Sequence, residues 1–160
     1  MSLPKALAFD IFGTVVDWHS SISRETRSFL SAYLPDLAPS EFALQWRALY
    51  QPAMRHCVSG QRGFVSLDIL HHETLLELLQ AHRVDVRRIA PDALWALAYA
   101  WRRLDPWPDV VAGMNQLRQR FPLVTLSNAN VELMVALNRY SGLQWDAILG
   151  AEFARTYKPE

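Results

Sequence analysis

Two hydrophobic patterns alternate along the chain and predict both strands and helices. Continuous apolar runs, which are typical of buried parallel strands, occupy residues 6–10 and 122–127, with a shorter run at 146–150. Apolar residues three or four positions apart predict helices between these runs. The helices cover residues 18–34, 66–82, 91–103, 109–120 and 130–141, and a further one begins at Pro39 and is kinked or ended by Pro52.

The order of these elements predicts an α/β fold with a helical insertion. Strands and helices alternate after residue 104, and this alternation is the pattern of a parallel sheet. Only helices are predicted between the first strand and residue 104. We therefore predict a Rossmann-like core of residues 1–16 and 104–160, and an α-helical cap segment, residues 17–103, inserted after the first strand.

Composition limits the classes of protein to which the chain can belong. The 16 basic and 16 acidic side chains cancel and form no basic stripe, so nucleic acid is not an expected partner. The single cysteine, Cys57, cannot form an intramolecular disulfide and fits a reducing cytoplasm, which is the expected location. Because no apolar run approaches membrane-spanning length, no membrane partner is expected either.

Polar side chains stand where the predicted strands end. Asp10 ends the first strand and is followed by a turn at Gly13, Ser127 ends the second strand, and Lys158 comes after the third. Open α/β sheets hold ligands at the carboxyl ends of their strands. An acid, a hydroxyl and an amine are therefore expected at one edge of the sheet, where Asp10 could be a nucleophile, a metal ligand or a structural cap.

These three residues, in this chain order, resemble the first three motifs of the haloacid dehalogenase (HAD) superfamily. The segment Asp10-Ile11-Phe12-Gly13-Thr14 resembles the 2-haloacid dehalogenase (type II) branch, because the superfamily's phosphatases usually carry a second aspartate where Phe12 stands. Phenylalanine cannot transfer a proton, and a departing halide needs none. The resemblance implies a hydrolase acting on carbon–halide bonds, which dehalogenates short 2-haloalkanoic acids through an aspartyl ester.

The resemblance also implies how the nucleophile is prepared. Asp10 attacks the carbon that bears the halogen, and Thr14 is expected to hydrogen-bond Asp10 and fix its rotamer. Lys158 is expected to pair with Asp10 and keep it ionised. Since the lysine takes the charge-neutralising role of a metal, no metal and no cofactor are expected.

Substrate contacts are implied on both sides of this nucleophile. Ser127 and the backbone N–H groups of Ile11 and Phe12 are expected to bind the substrate carboxylate. Asn128 is expected to donate a hydrogen bond towards the halide.

In the cap segment, Trp46 and Arg47 match a Trp-Arg pair of the dehalogenase branch that reaches into the site. The resemblance implies that both residues bind the substrate and that the arginine faces the departing halide. Phe64 is expected to line the cap side of the pocket. The neighbouring His71 and His72 are interpreted as part of a solvated helix face, because adjacent residues on a helix point apart and do not share a metal.

Two alternatives remain open at this point: a HAD-type phosphatase that uses Mg²⁺ on a small metabolite, and a degenerate binding module without activity. In the family, a fourth, acidic motif follows the lysine, and the 160 residues do not contain it. We therefore expect a fragment that could be inactive by itself. A small haloacid is the expected partner, and a homodimer is allowed.

Overall fold

The computed structural model describes residues 3–159 and centres on a short parallel sheet. β1 (Leu7–Phe9) pairs in parallel with β4 (Leu123–Thr125). On the other side of β4, isolated parallel bridges join Val124 to Ala147 and Ser127 to Gly150. The predicted α/β arrangement with parallel strands is therefore present, although both strands are shorter than the apolar runs that predicted them.

The strand predicted at residues 146–150 is reduced to those two bridges, because side chains replace part of the backbone pairing. The Asp146 carboxylate accepts a hydrogen bond from the Leu123 N–H at 2.8 Å. The Thr125 hydroxyl is 2.8 Å from both the N and the O of Leu149. These contacts hold the segment against β4 without a continuous ladder.

Helices supply most of the remaining structure. In the cap segment they are α1 (Trp18–Tyr33), α2 (Pro39–Val58), α3 (Leu67–Ala81) and α4 (Pro91–Ala98), with 3₁₀ turns at Val86–Arg88 and Tyr99–Arg102. Around the sheet they are α5 (Val110–Arg118), α6 (Val131–Ser141) and the short α7 (Ala151–Ala154). No helix within residues 3–159 combines the length and the apolar character needed to cross a membrane.

Two of the predicted helices differ from the observed ones. Pro52 lies inside α2 and does not end it, because Tyr50 and Met54, on either side of the proline, are both buried and hold the helix by packing. The helix predicted at residues 91–103 is divided, since α4 ends at Ala98 and a 3₁₀ turn follows.

The two segments that connect the sheet to the cap segment lie side by side. β2 (Val16–Asp17) precedes α1 and pairs antiparallel with β3 (Asp105–Pro106), which follows the 3₁₀ turn. Arg24 of α1 forms an ion pair with Asp105, and the Tyr140 hydroxyl donates to the same carboxylate at 2.9 Å. Asp105 of this two-stranded ribbon thus links α1 to α6.

Candidate active site

Asp10 lies directly after β1, and its carboxylate has a separate partner on each oxygen. Lys158 Nζ lies 2.7 Å from Oδ1, and the Thr14 hydroxyl donates to Oδ2 at 3.0 Å. Partial burial raises the pKa of this carboxyl, but the hydrogen bonds and the lysine charge outweigh burial and hold the pKa below its usual 3.8. Asp10 is thus an ionised, half-exposed carboxylate with fixed orientation, which suits a nucleophile.

The loop after β4 closes around the same lysine. Lys158 Nζ donates to the Leu126 carbonyl at 2.9 Å, and the Lys158 backbone N–H donates to Asn128 Oδ1 at 2.8 Å. The Asn128 amide nitrogen lies 3.4 Å from the Met54 sulfur of α2. Asn128 therefore stands between the sheet edge and the cap segment.

Ser127 is buried within this loop. Its hydroxyl oxygen accepts a hydrogen bond from the Ala129 N–H at 3.1 Å, and its backbone bonds to Leu149 and Ala151. The hydroxyl proton stays available for a further acceptor. Binding of a substrate carboxylate by Ser127 remains a prediction.

Ile11 and Phe12 follow Asp10 and differ in exposure. Ile11 is fully buried, so only its backbone can serve a ligand. The Phe12 ring is part-buried and packs edge-on against Trp101 at a centroid distance of 6.1 Å. Phe12 thus joins the turn after Asp10 to the cap segment through aromatic packing.

Phe64 lies on the lysine side of the site. Its ring packs against Tyr157 at 5.4 Å, and the Tyr157 hydroxyl donates to the Val65 carbonyl at 2.5 Å. Burial raises the pKa of Tyr157, so the phenol stays neutral. Sequence reasoning missed Tyr157, which holds the segment before Lys158 against the cap segment.

Trp46 and Arg47 point to different surroundings. Trp46 is buried and donates from Nε1 to the Thr74 hydroxyl of α3 at 3.1 Å. Arg47 Cζ lies 3.9 Å from the ring centroid of Tyr50, 5.5 Å from that of Trp18 and 5.9 Å from that of Trp101. Trp46 therefore anchors α2, while the Arg47 guanidinium lies among aromatic rings.

Tyr50 connects this guanidinium to the sheet edge and was not found from the sequence. Burial raises the pKa of its hydroxyl, interactions with Arg47 and Asn128 oppose the rise, and the negative charge of Asp10 adds to it. Tyr50, which contacts Arg47 at 3.9 Å, therefore also lies within electrostatic reach of Asn128 and Asp10.

The interpretation of His71 as solvent-facing is wrong. His71 is 2% exposed, and its ring stacks on Trp101 at 4.5 Å and on Tyr50 at 6.2 Å. Residues 67, 71, 75 and 78 share one helix face, and this spacing could have revealed its burial. His72 is part-exposed and stacks on Trp95 at 3.9 Å instead.

A buried polar bridge, formed by Asp68, Arg102 and Asn130, ties the loop after β4 to the cap segment. Asn130 Nδ2 donates to Asp68 Oδ2 at 2.7 Å, and Arg102 donates to both Asp68 oxygens at 2.8 and 3.1 Å. Asn130 Oδ1 also accepts from the Asp68 N–H in the first turn of α3, at 3.3 Å. We call this group the Asp68 bridge; it anchors the loop that carries Ser127 and Asn128.

Comparisons with known proteins agree on one group of relatives, although no family model matches the chain. The chain is 24% identical to haloacetate dehalogenase H-2 of Moraxella sp. (strain B), over 97% of its own length. It superposes on the solved defluorinating L-2-haloacid dehalogenase Rha0230 with a TM-score of 0.94 and 38% identity, over 98% of its length. It superposes on the L-2-haloacid dehalogenase PA0810 with a TM-score of 0.89 and 36% identity, again over 98% of its length.

The chain covers only part of each relative. It spans 66% of the Moraxella protein, 64% of Rha0230 and 66% of PA0810. Within residues 3–159, no group of three or more His, Cys, Asp and Glu side chains is arranged as metal ligands would be.

Proposed function

Because the chain belongs to the haloacid dehalogenase superfamily, in its type II 2-haloacid dehalogenase branch, we propose that the protein hydrolyses short 2-haloalkanoic acids and releases halide. One observation carries the proposal: Asp10 is ionised between Lys158 and Thr14, with an aromatic residue and no proton donor at position 12. A free carboxylate suits attack on carbon, and a halide leaves without being protonated.

The proposed reaction has two displacements. An Asp10 oxygen attacks the carbon that bears the halogen, the carbon–halogen electron pair leaves with the halide, and an aspartyl ester forms with inversion. Water then adds to the Asp10 carbonyl carbon, the 2-hydroxy acid departs, and the Asp10 carboxylate is restored with release of one proton. Lys158 favours the first step by keeping Asp10 ionised in the free enzyme.

The remaining roles belong to the same proposal. Ser127 and the N–H groups of Ile11 and Phe12 would bind the substrate carboxylate, supported by their position beside Asp10 at the sheet edge. Asn128 and Arg47 would face the halide, supported by the interactions of both with Tyr50.

Two residues of the cap segment would support these contacts. Trp46 would hold the helix that carries Arg47, because it is anchored to Thr74 of α3. Phe64 would limit the pocket through its packing on Tyr157, beside Lys158.

The chemistry is tested in the full-length protein with 2-chloropropionate. Halide release is expected to be unchanged by EDTA, because Lys158 supplies the positive charge next to Asp10. A single turnover in H₂¹⁸O is expected to place label in the peptide containing Asp10, since water attacks the ester at its acyl carbon. Loss of activity on chelation would favour a phosphatase, and label found only in the hydroxy acid would mean direct attack by water.

Arg47→Ala is expected to lower kcat by roughly 30- to 1,000-fold, more than it raises KM, because the guanidinium meets charge that grows as the carbon–halogen bond breaks. Arg47→Lys is also expected to be impaired, since lysine lacks the planar donor group. Arg55→Ala, an exposed arginine on the same helix, is the matched control. Near-parental kcat in both Arg47 variants would exclude Arg47 from the halide site.

We further propose a cytoplasmic protein without a resident metal or cofactor, whose partner is the haloacid itself. The single cysteine supports the location, and the ammonium group of Lys158 beside Asp10 supports independence from metal. A homodimer remains a prediction, which sedimentation of the full-length protein tests directly.

A further inference from the structure

Unpartnered polar atoms are concentrated around Arg47. Within residues 3–159, the buried side-chain nitrogens and oxygens without a hydrogen-bond partner are Arg47 Nη1, Trp101 Nε1 and both ring nitrogens of His71. The three side chains belong to one contiguous group, because His71 stacks on Trp101 and the Arg47 guanidinium faces the same indole. Buried polar groups are nearly always paired, so a cluster of unpaired ones requires an explanation.

The unpaired atoms are mostly hydrogen-bond donors. Arg47 Nη1 and Trp101 Nε1 can only donate. Burial lowers the pKa of His71, and the nearby positive charge of Arg47 lowers it further, so the imidazole is neutral and has one donor and one acceptor. The unpaired atoms of the cluster are therefore three donor nitrogens and a single acceptor nitrogen.

The cluster also lacks negative charge. Arg47 is part-buried, and no carboxylate within residues 3–159 lies at ion-pair distance from it. By contrast, Arg102 pairs with Asp68, and Arg24 of α1 pairs with Asp105. A water molecule could accept from these donors but would leave the charge uncompensated. A small anion satisfies both needs.

We propose that His71 and Trp101 bind the departing halide together with Arg47 and form the closed end of the leaving-group pocket. This inference rests on the proposed function for the identity of the anion. The Trp101 ring contacts Phe12 in the turn after Asp10, Arg47 lies over the same ring, and His71 stacks on it. Halide binding would thus reach Trp101 in the 3₁₀ turn directly before the ribbon that joins the cap segment to the sheet.

The test measures chloride and bromide binding to the full-length protein by tryptophan fluorescence, at ionic strength held constant with sodium sulfate. His71→Phe keeps a ring for stacking and removes both nitrogens, and Trp101→Phe removes the indole donor. Each is expected to weaken halide binding roughly tenfold, as for the loss of one hydrogen bond to a charged group. His71→Gln, whose side-chain amide again supplies donor N–H groups, is expected to bind halide more tightly than His71→Phe. It also gives a second test if the phenylalanine variant folds poorly.

His72→Phe is the matched control, because His72 neighbours His71 on α3 and stacks on Trp95 outside the cluster. Its halide binding is expected to equal that of the parent. Unchanged binding in His71→Phe and Trp101→Phe would overturn the proposal, as would halide release by a parent protein that binds no halide. Halide binding that depends on His71, in a protein that releases no halide from any haloacid, would retain the anion site and reject the proposed function.

Discussion

In Asp10→Asn, halide release from 2-chloropropionate is expected to fall by at least about 10³-fold, because an amide is a far weaker nucleophile than a carboxylate. The substitution keeps the size of the side chain and its position after β1. Lys158 would lose its ionic partner but keep its hydrogen bond to the Leu126 carbonyl. The rate of chloride release, measured with folding checked by circular dichroism, gives the result.

Asp109→Asn provides the control, since Asp109 is exposed and its side chain makes no capping hydrogen bond to α5. Parental activity in Asp10→Asn would exclude the covalent route.

Lys158→Met tests the ion pair through the pH dependence of kcat/KM. Because Lys158 contributes to holding the pKa of Asp10 below 3.8, its removal is expected to move the acid limb of kcat/KM to higher pH.

The same ion pair makes stability depend on pH in a defined direction. The pKa of Asp10 is lowered in the folded state, so its contribution is fully present above the ordinary carboxyl pKa of 3.8. That contribution is lost as the pH falls through the lowered folded-state value. Lys158→Met should remove most of this acid-side dependence.

Asp68→Ala is expected to have the largest effect on stability, at roughly 3 kcal/mol. The Asp68 and Arg102 side chains are only 7% and 14% exposed, so the alanine variant leaves a guanidinium buried with one exposed partner. It also removes the acceptor of the Asn130 amide. Urea unfolding should show the loss, and the thermal midpoint should fall by roughly 6–12 °C.

Glu132→Gln is the matched control for this bridge, because Glu132 pairs with the same arginine but is 75% exposed. Exposed ion pairs contribute little, so its effect should stay within about 0.5 kcal/mol. If Asp68→Ala were as mild as Glu132→Gln, the bridge would not hold the cap segment to the core.

The polar residues at the strand ends could be predicted from the sequence, because ligands of α/β sheets lie at the carboxyl ends of the strands. Asp10 and Ser127 each end an apolar run, and parallel strands bring such ends to one sheet edge. The pairing of Asp10 with Lys158 was expected from the family resemblance, and the structure places them 2.7 Å apart. The chemical roles of these residues stay predictions until they are measured.

Residues of the cap segment were harder to find, because their partners are distant in sequence. Asp68 and Asn130 are 62 residues apart, and an acidic residue near a helix start is usually solvated. In the sequence, Tyr50 and Trp101 cannot be distinguished from aromatic residues that only pack in the core. The burial of His71 follows from the helix face that it shares with the buried Leu67 and Leu75, and its polar side chain hides this pattern in the sequence.

The side-chain oxygen Oδ1 of Asn130 caps the first turn of α3 from outside that helix, while the N-cap residue Ser66 provides no side-chain cap. The first turn of the helix is thus completed by a residue 62 positions away, on the loop after the strand. This dependence limits how the protein can be recombined. A chimaera that transfers residues 17–103 to another core must carry an asparagine at the position of Asn130. Without it, the Asp68 N–H in the first turn of α3 would lose its hydrogen-bond acceptor.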